Sequence, residues 1–66
     1  TKGEMKVLRC LVRGLSYNEI AKELGIEPST VKYHVINMLQ KTSLENKLQL
    51  AIAATEAKLV VELAEE

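Results

Sequence analysis

Apolar residues recur along the chain at helical spacing, and punctuating residues break them into four segments. Met5, Leu8, Cys10, Leu11 and Val12 fall near one stripe of a helix over residues 2–13, which Gly14 ends by taking a left-handed backbone. Thr1 and Glu4 have the spacing of a capping box, and capping is the leading explanation of Glu4. Ser16 and Glu19 repeat that box at the head of a short helix over 17–24, with Ile20, Ala21 and Leu24 on one face and Gly25 as its stop. Pro28 suits the first position of a third helix, over 28–41, with the preceding Glu27 a poor cap whose charge still favours the helix dipole. Thr42 and Ser43 interrupt the pattern. Asn46 is placed to cap a fourth helix over 47–64, rich in Ala and Leu. No segment reads as a strand, so the expected fold is all-α, a compact four-helix domain.

The pair of helices around Gly25 has the layout of a helix-turn-helix, and its spacing has physical reasons. Ala21 is small where the helices approach, Gly25 supplies the positive φ of a tight turn, and Val31 fills the angle between them. On a wheel of about 100° per residue, Val31, Val35, Met38 and Leu39 of the third helix face the core. Ser29, Tyr33, Ile36 and Gln40 face away. Lys32 occupies one flank, while Thr30, His34, Asn37 and Lys41 lie toward the other. From Pro28 to Lys41 there is no acidic side chain. Such a helix suits a major groove, with outward residues at base edges and flanking polar groups at phosphates.

At 66 residues, with 47% apolar and 27% charged content, the chain is one small globular domain with little room for an enclosed active site. Its formal charge of zero argues against a polyanion partner until the charges are located. Residues 1–41 carry seven basic side chains against four acidic ones, and residues 42–66 carry two against five. A polyanion site is therefore expected in the first part only. No apolar run approaches the roughly 20 residues of a membrane span. The single Cys10 cannot form an internal disulfide and is expected to be a buried small hydrophobe; that and the lack of a basic leader with an apolar stretch suit a reducing cytosol, and a cytoplasmic location is expected. Thr1 in place of Met suggests a piece of a longer chain. His34 stands alone, without Cys or carboxylate at ligand spacing, so no metal or other cofactor is implied, and no catalytic constellation points to an enzyme.

Glu4 with Val7-Leu8, the run Gly14-Leu15-Ser16-Tyr17-Asn18-Glu19-Ile20-Ala21, Leu24-Gly25-Ile26, and Ser29 to Val35 together resemble the LuxR/FixJ family, with its GerE-like DNA-binding domain. The resemblance covers about residues 1–54 and implies a tetrahelical DNA-binding module of bacterial transcription regulators, with double-stranded DNA as partner and RNA polymerase as a candidate second one. Carried over by position, it places base readers at Lys32, Tyr33 and Ile36, and phosphate contacts at Asn18, Ser29, Thr30, His34 and Lys41. Asn37 joins the candidate set from the helical wheel. Ile36 departs from the polar or basic residue of many relatives and cannot donate to a base, so contact with a thymine methyl, or steric selection alone, is expected of it. Tyr33 is larger than the small aliphatic often found at its position.

In the resembled family the fourth helix pairs two domains about a two-fold axis. Ala51, Ala54, Thr55 and Lys58 are the candidate interface, and a homodimer is expected. Leu44, Leu48, Ala51 and Ile52 are expected to cover the core. Ala53, Ala54, Ala57, Leu59, Val60, Val61 and Leu63 are expected to extend the apolar surface beyond the core, with residues 59–63 folding back on the first helix as the alternative use. Zero net charge, Ile36 and the acidic last third leave one different reading open, a helical protein-interaction module that has lost DNA binding. The acid-free third helix favours DNA. A promoter module resembling that of sigma factors shares the turn but is expected to be more basic.

Overall fold

A computed structural model describes residues 2–55. It contains four helices in this order: α1 (Lys2–Val12), α2 (Tyr17–Leu24), α3 (Pro28–Thr42) and α4 (Lys47–Thr55), with no strand among the described residues. All four begin where the sequence reading places them, and α1, α2 and α3 end within one residue of the expected positions. The end of α4 cannot be compared, because residues 56–66 lie outside the described part, and with them Ala57, Lys58 and the segment 59–63. Thr1 lies outside it too.

Caps explain most of these boundaries. Gly14 at φ 83° ends α1 in the six-to-one pattern: Leu15 N–H donates to the Cys10 carbonyl and Gly14 N–H to that of Leu11. At the head of α2 both halves of the capping box form, Glu19 N–H donating to Ser16 Oγ and Ser16 N–H to Glu19 Oε1. Gly25 at φ 69° closes α2, and the Ile26 N–H returns to the Ala21 carbonyl. Pro28 opens α3 behind Glu27, whose side chain makes no capping bond. Asn46 Oδ1 accepts from Gln49 N–H at the head of α4, and Gln49 Oε1 in turn accepts from Glu45 N–H.

Helices α1 and α3 each touch the other three. Val7, Leu8, Cys10 and Leu11 of α1 meet Ile20 and Ala21 of α2, Val31, Val35 and Met38 of α3, and Leu50 and Ala54 of α4 in one core. Each fully buried aliphatic contributes about 1.5–3 kcal/mol relative to exposure. Val12, by contrast, is exposed and Leu39 only half-buried.

The structure corrects two expectations for α4. Leu48 and Ile52, expected over the core, are 67% and 55% exposed; Leu50 takes that place instead. Ala54, a candidate for the dimer interface, is buried in the domain's own core. Both errors follow from an α4 that is apolar on all sides, so that periodicity does not fix which side turns inward.

The burial of Glu4 is the third departure. Its side chain is 4% exposed, and Oε1 accepts from Lys41 Nζ at 2.9 Å, tying the first turn of α1 to the last turn of α3. A carboxylate that deep is retained by its cation, because an unpaired buried charge is strongly destabilising. Capping alone does not describe it.

Candidate nucleic-acid interface

The interface is built on α3, held by three devices. The αL turn at Gly25 and the buried Ala21 let α2 lie close, Val31 is fully buried at the crossing, and the Glu4–Lys41 pair anchors the far end. A fourth tie braces α2 against α1: Arg13 is ion-paired to Glu23 Oε2, which also accepts from Cys10 Sγ at 3.4 Å. Arg13, followed by the Cys10 contact, holds the Glu23 carboxyl below its usual range. Burial, followed by the hydrogen bond to Glu23, pushes the Cys10 thiol up. Cys10 is thus a buried thiol kept protonated, far from the low-pKa type that reacts.

The outward ridge of α3 stands where the helical wheel places it. Tyr33 is 62% exposed and Ile36 43%, with Ser29, Lys32 and Gln40 also exposed. Tyr33 and Ile36 thus present apolar surface beside the Lys32 ammonium, a mixed patch available to a partner. Asn18 is exposed at the head of α2, near Ser29 and Lys32 on the rim of one open depression.

The opposite flank is different. Thr30, His34 and Asn37 are half-buried rather than open. The His34 ring lies against Gly3 of α1, where an added Cβ would come to 3.0 Å from Cε1, so a larger residue there requires the ring to shift by a few tenths of an ångström. Its Nδ1 is buried and has no hydrogen-bond partner among the described residues. The Tyr33 ring is tilted against it at 6.3 Å. Lys41 is engaged by Glu4. This flank therefore seats α3 on α1 first, and its polar groups have less freedom to reach a ligand than Asn18, Ser29 and Lys32.

The depression brings in one residue that the sequence does not single out. Lys47, the first residue of α4, lies beside Ser29 and Lys32, with Nζ 4.6 Å from the centroid of the Tyr17 ring. By position in the chain it belongs with the acidic last third, and nothing local shows that the start of α4 returns to the starts of α2 and α3.

No group of three or more potential metal ligands occurs among the described residues. No helix there is long and apolar enough to cross a membrane.

Comparison with known proteins agrees with this geometry. Residues 1–54 match the family described as bacterial regulatory proteins, luxR family. The chain is 43% identical over 51 residues to the transcriptional regulatory protein UhpA of Salmonella typhimurium, covering 77% of the chain and 26% of UhpA. It is 37% identical over 60 residues to the transcriptional regulatory protein LiaR of Bacillus subtilis, covering 91% of the chain and 28% of LiaR. The same identity and length hold for the response regulator protein VraR of Staphylococcus aureus, of which 29% is covered. The chain spans little more than a quarter of the length of these relatives. On the helix-turn-helix, the acid-free outer face of α3 and this match over most of its length, the chain belongs to the LuxR family of bacterial regulatory proteins, as a DNA-binding domain of transcription regulation.

Proposed function

We propose that α3 enters the major groove with Lys32, Tyr33 and Ile36 at base edges, while Asn18 and Ser29 meet phosphates from one side and Thr30, His34, Asn37 and Lys41 border the other. The observation that carries this reading is the exposure of Tyr33 and Ile36 beside Lys32 on a helix whose outer face has no carboxylate. Lys32 supplies a donor to base acceptors or a charge to the backbone. Ile36 offers only apolar surface, and the apolar feature of a base pair in the major groove is the thymine methyl. Lys41 reaches DNA only from its pair with Glu4, so its share of the affinity is smaller than that of Lys32.

Two copies pair through α4. Leu48 and Ile52 lie one turn apart on its exposed side, with half-buried Ala51 and exposed Thr55 beside them, and together they form an apolar strip. Pairing through it brings two α3 helices to successive half-sites. The match to part of a transcriptional regulatory protein and of a response regulator protein supports reading the chain as the output domain of such a regulator; a cytoplasmic location and action on RNA polymerase at promoters go with that reading.

The contact to thymine is tested by selecting a preferred duplex from random sequence and replacing each thymine of the site by uracil, which removes only the methyl. One replacement is expected to weaken binding of the wild-type chain and leave Ile36→Ala unaffected. Equal sensitivity of both proteins at every position would contradict the assigned role of Ile36.

A further inference from the structure

Three helices start around one concavity. It lies between the heads of α2, α3 and α4, has a volume of about 370 Å³, and no carboxylate lines it. Lys32 from α3 and Lys47 from α4 both line it, together with Ser16, Asn18 and Ser29. Among the described residues neither lysine is ion-paired. Two lysines that line one depression repel each other, and an anion seated there offsets that repulsion. The Lys47 ammonium is also held: it sits over the face of the Tyr17 ring, whose quadrupole attracts a cation and fixes its direction.

We propose that this depression seats one phosphodiester of the DNA strand bordering the groove that α3 enters, with Lys47 as its second cation and Tyr17 as the residue that positions Lys47. The assignment rests on α3 being the DNA-reading helix. Asn18 and Ser29 supply neutral donors to the same phosphate, a mixture of charged and polar contacts that fixes a protein's register on a duplex without reading sequence. It also gives α4 two tasks. Its first residue touches the phosphate, and Leu48 and Ile52, further along the same helix, form the strip assigned to pairing. The dimer axis and the DNA backbone are thus linked through one short helix.

The test is fluorescence anisotropy of the chain with labelled duplex across about 50–200 mM salt, the range over which phosphate-driven affinity changes most. Lys47→Gln is expected to weaken binding to preferred and random duplexes by the same factor and to flatten the log–log salt slope by about 0.9, the value of one phosphate contact. Lys47→Arg is expected to restore both, Tyr17→Phe to keep them, and Tyr17→Leu to fall between. A scan of single methylphosphonate substitutions is expected to find one position per half-site that weakens the wild-type chain but not Lys47→Gln. Helix content by circular dichroism checks that the exposed Lys47 variants fold. If Lys47→Gln binds with wild-type affinity and slope while Lys32→Ala is weakened, the phosphate seat is wrong and the reading of α3 stands. If the wild-type chain binds no duplex at low salt, both fall.

Discussion

Helices α3 and α4 dispose of their apolar residues in opposite ways. α3 buries Val31, Val35 and Met38 on one side and shows a mixed ridge of Ser29, Lys32, Tyr33 and Ile36 on the other. α4 buries only Leu50 and Ala54 and leaves Leu48 and Ile52, as large as anything it buries, in water. A ridge that mixes hydroxyl, ammonium, phenol and aliphatic groups matches a surface that is polar and chemically varied, as the edges of base pairs are. A strip of aliphatic side chains matches another strip of the same kind. The difference separates a helix suited to reading from a helix suited to pairing, and single substitutions can be aimed at either.

The largest effect is expected at the crossing that holds α3 in place. Val31→Asp puts a carboxylate at a fully buried position, and the loss is expected to exceed about 4 kcal/mol, enough to unfold a domain of this size. Circular dichroism at room temperature would show the helical signal gone. A folded Val31→Asp chain would mean that α3 is turned differently about its axis.

The two leucines of α4 give the sharpest contrast. Leu50→Ala is expected to cost about 2–5 kcal/mol in thermal or urea unfolding. Leu48→Ala is expected to stay within about 0.5 kcal/mol of wild type, as for a surface site, yet to weaken self-association in sedimentation equilibrium. Equal destabilisation by both would show that Leu48 belongs to the core.

A smaller effect lies at the head of α2. Ser16→Ala removes the hydroxyl that caps Glu19 N–H and is expected to cost about 1 kcal/mol. The other half of the box depends on pH. The backbone N–H of Ser16, with its hydroxyl adding a smaller share, holds the folded Glu19 carboxyl below its ordinary value. Because the folded group is the stronger acid, its contribution is present at neutral pH and fades as pH falls below the ordinary Glu value of about 4.3. Glu19→Gln is therefore expected to lose stability at pH 7 and to narrow its deficit at pH 3, as read from melting temperatures at the two pH values.

How legible each region is in the sequence follows the same division. The α2–α3 pair is readable because its boundaries are set by neighbours in the chain: Ser16 with Glu19 at the head of α2, Gly25 directly after Leu24 at its end, and Pro28 at the head of α3. The ridge of α3 follows from its periodicity. The orientation of α4 does not, because Leu48, Leu50, Ala51, Ile52, Ala53 and Ala54 surround the helix and only the tertiary fit selects Leu50. Nor does the Glu4–Lys41 pair, whose partners are 37 residues apart and whose acid already has a sufficient local explanation as a cap. The seat of His34 is hidden in the same way. Gly3 reads as an ordinary weak helix former until the ring is seen lying against it. Lys47 belongs by sequence to the last third of the chain, where acids outnumber bases, whereas the fold places it among residues of α2 and α3.

The most direct test of the account is the binding of this chain to a pool of labelled duplexes at about 50 and 200 mM salt, measured by anisotropy for the wild type and for Lys32→Ala. The account predicts binding that falls steeply with salt and is weakened by Lys32→Ala, with little change in melting temperature because Lys32 is exposed. Binding unaffected by Lys32→Ala, or no binding at the lower salt, would contradict the assignment of α3 as the helix that meets DNA.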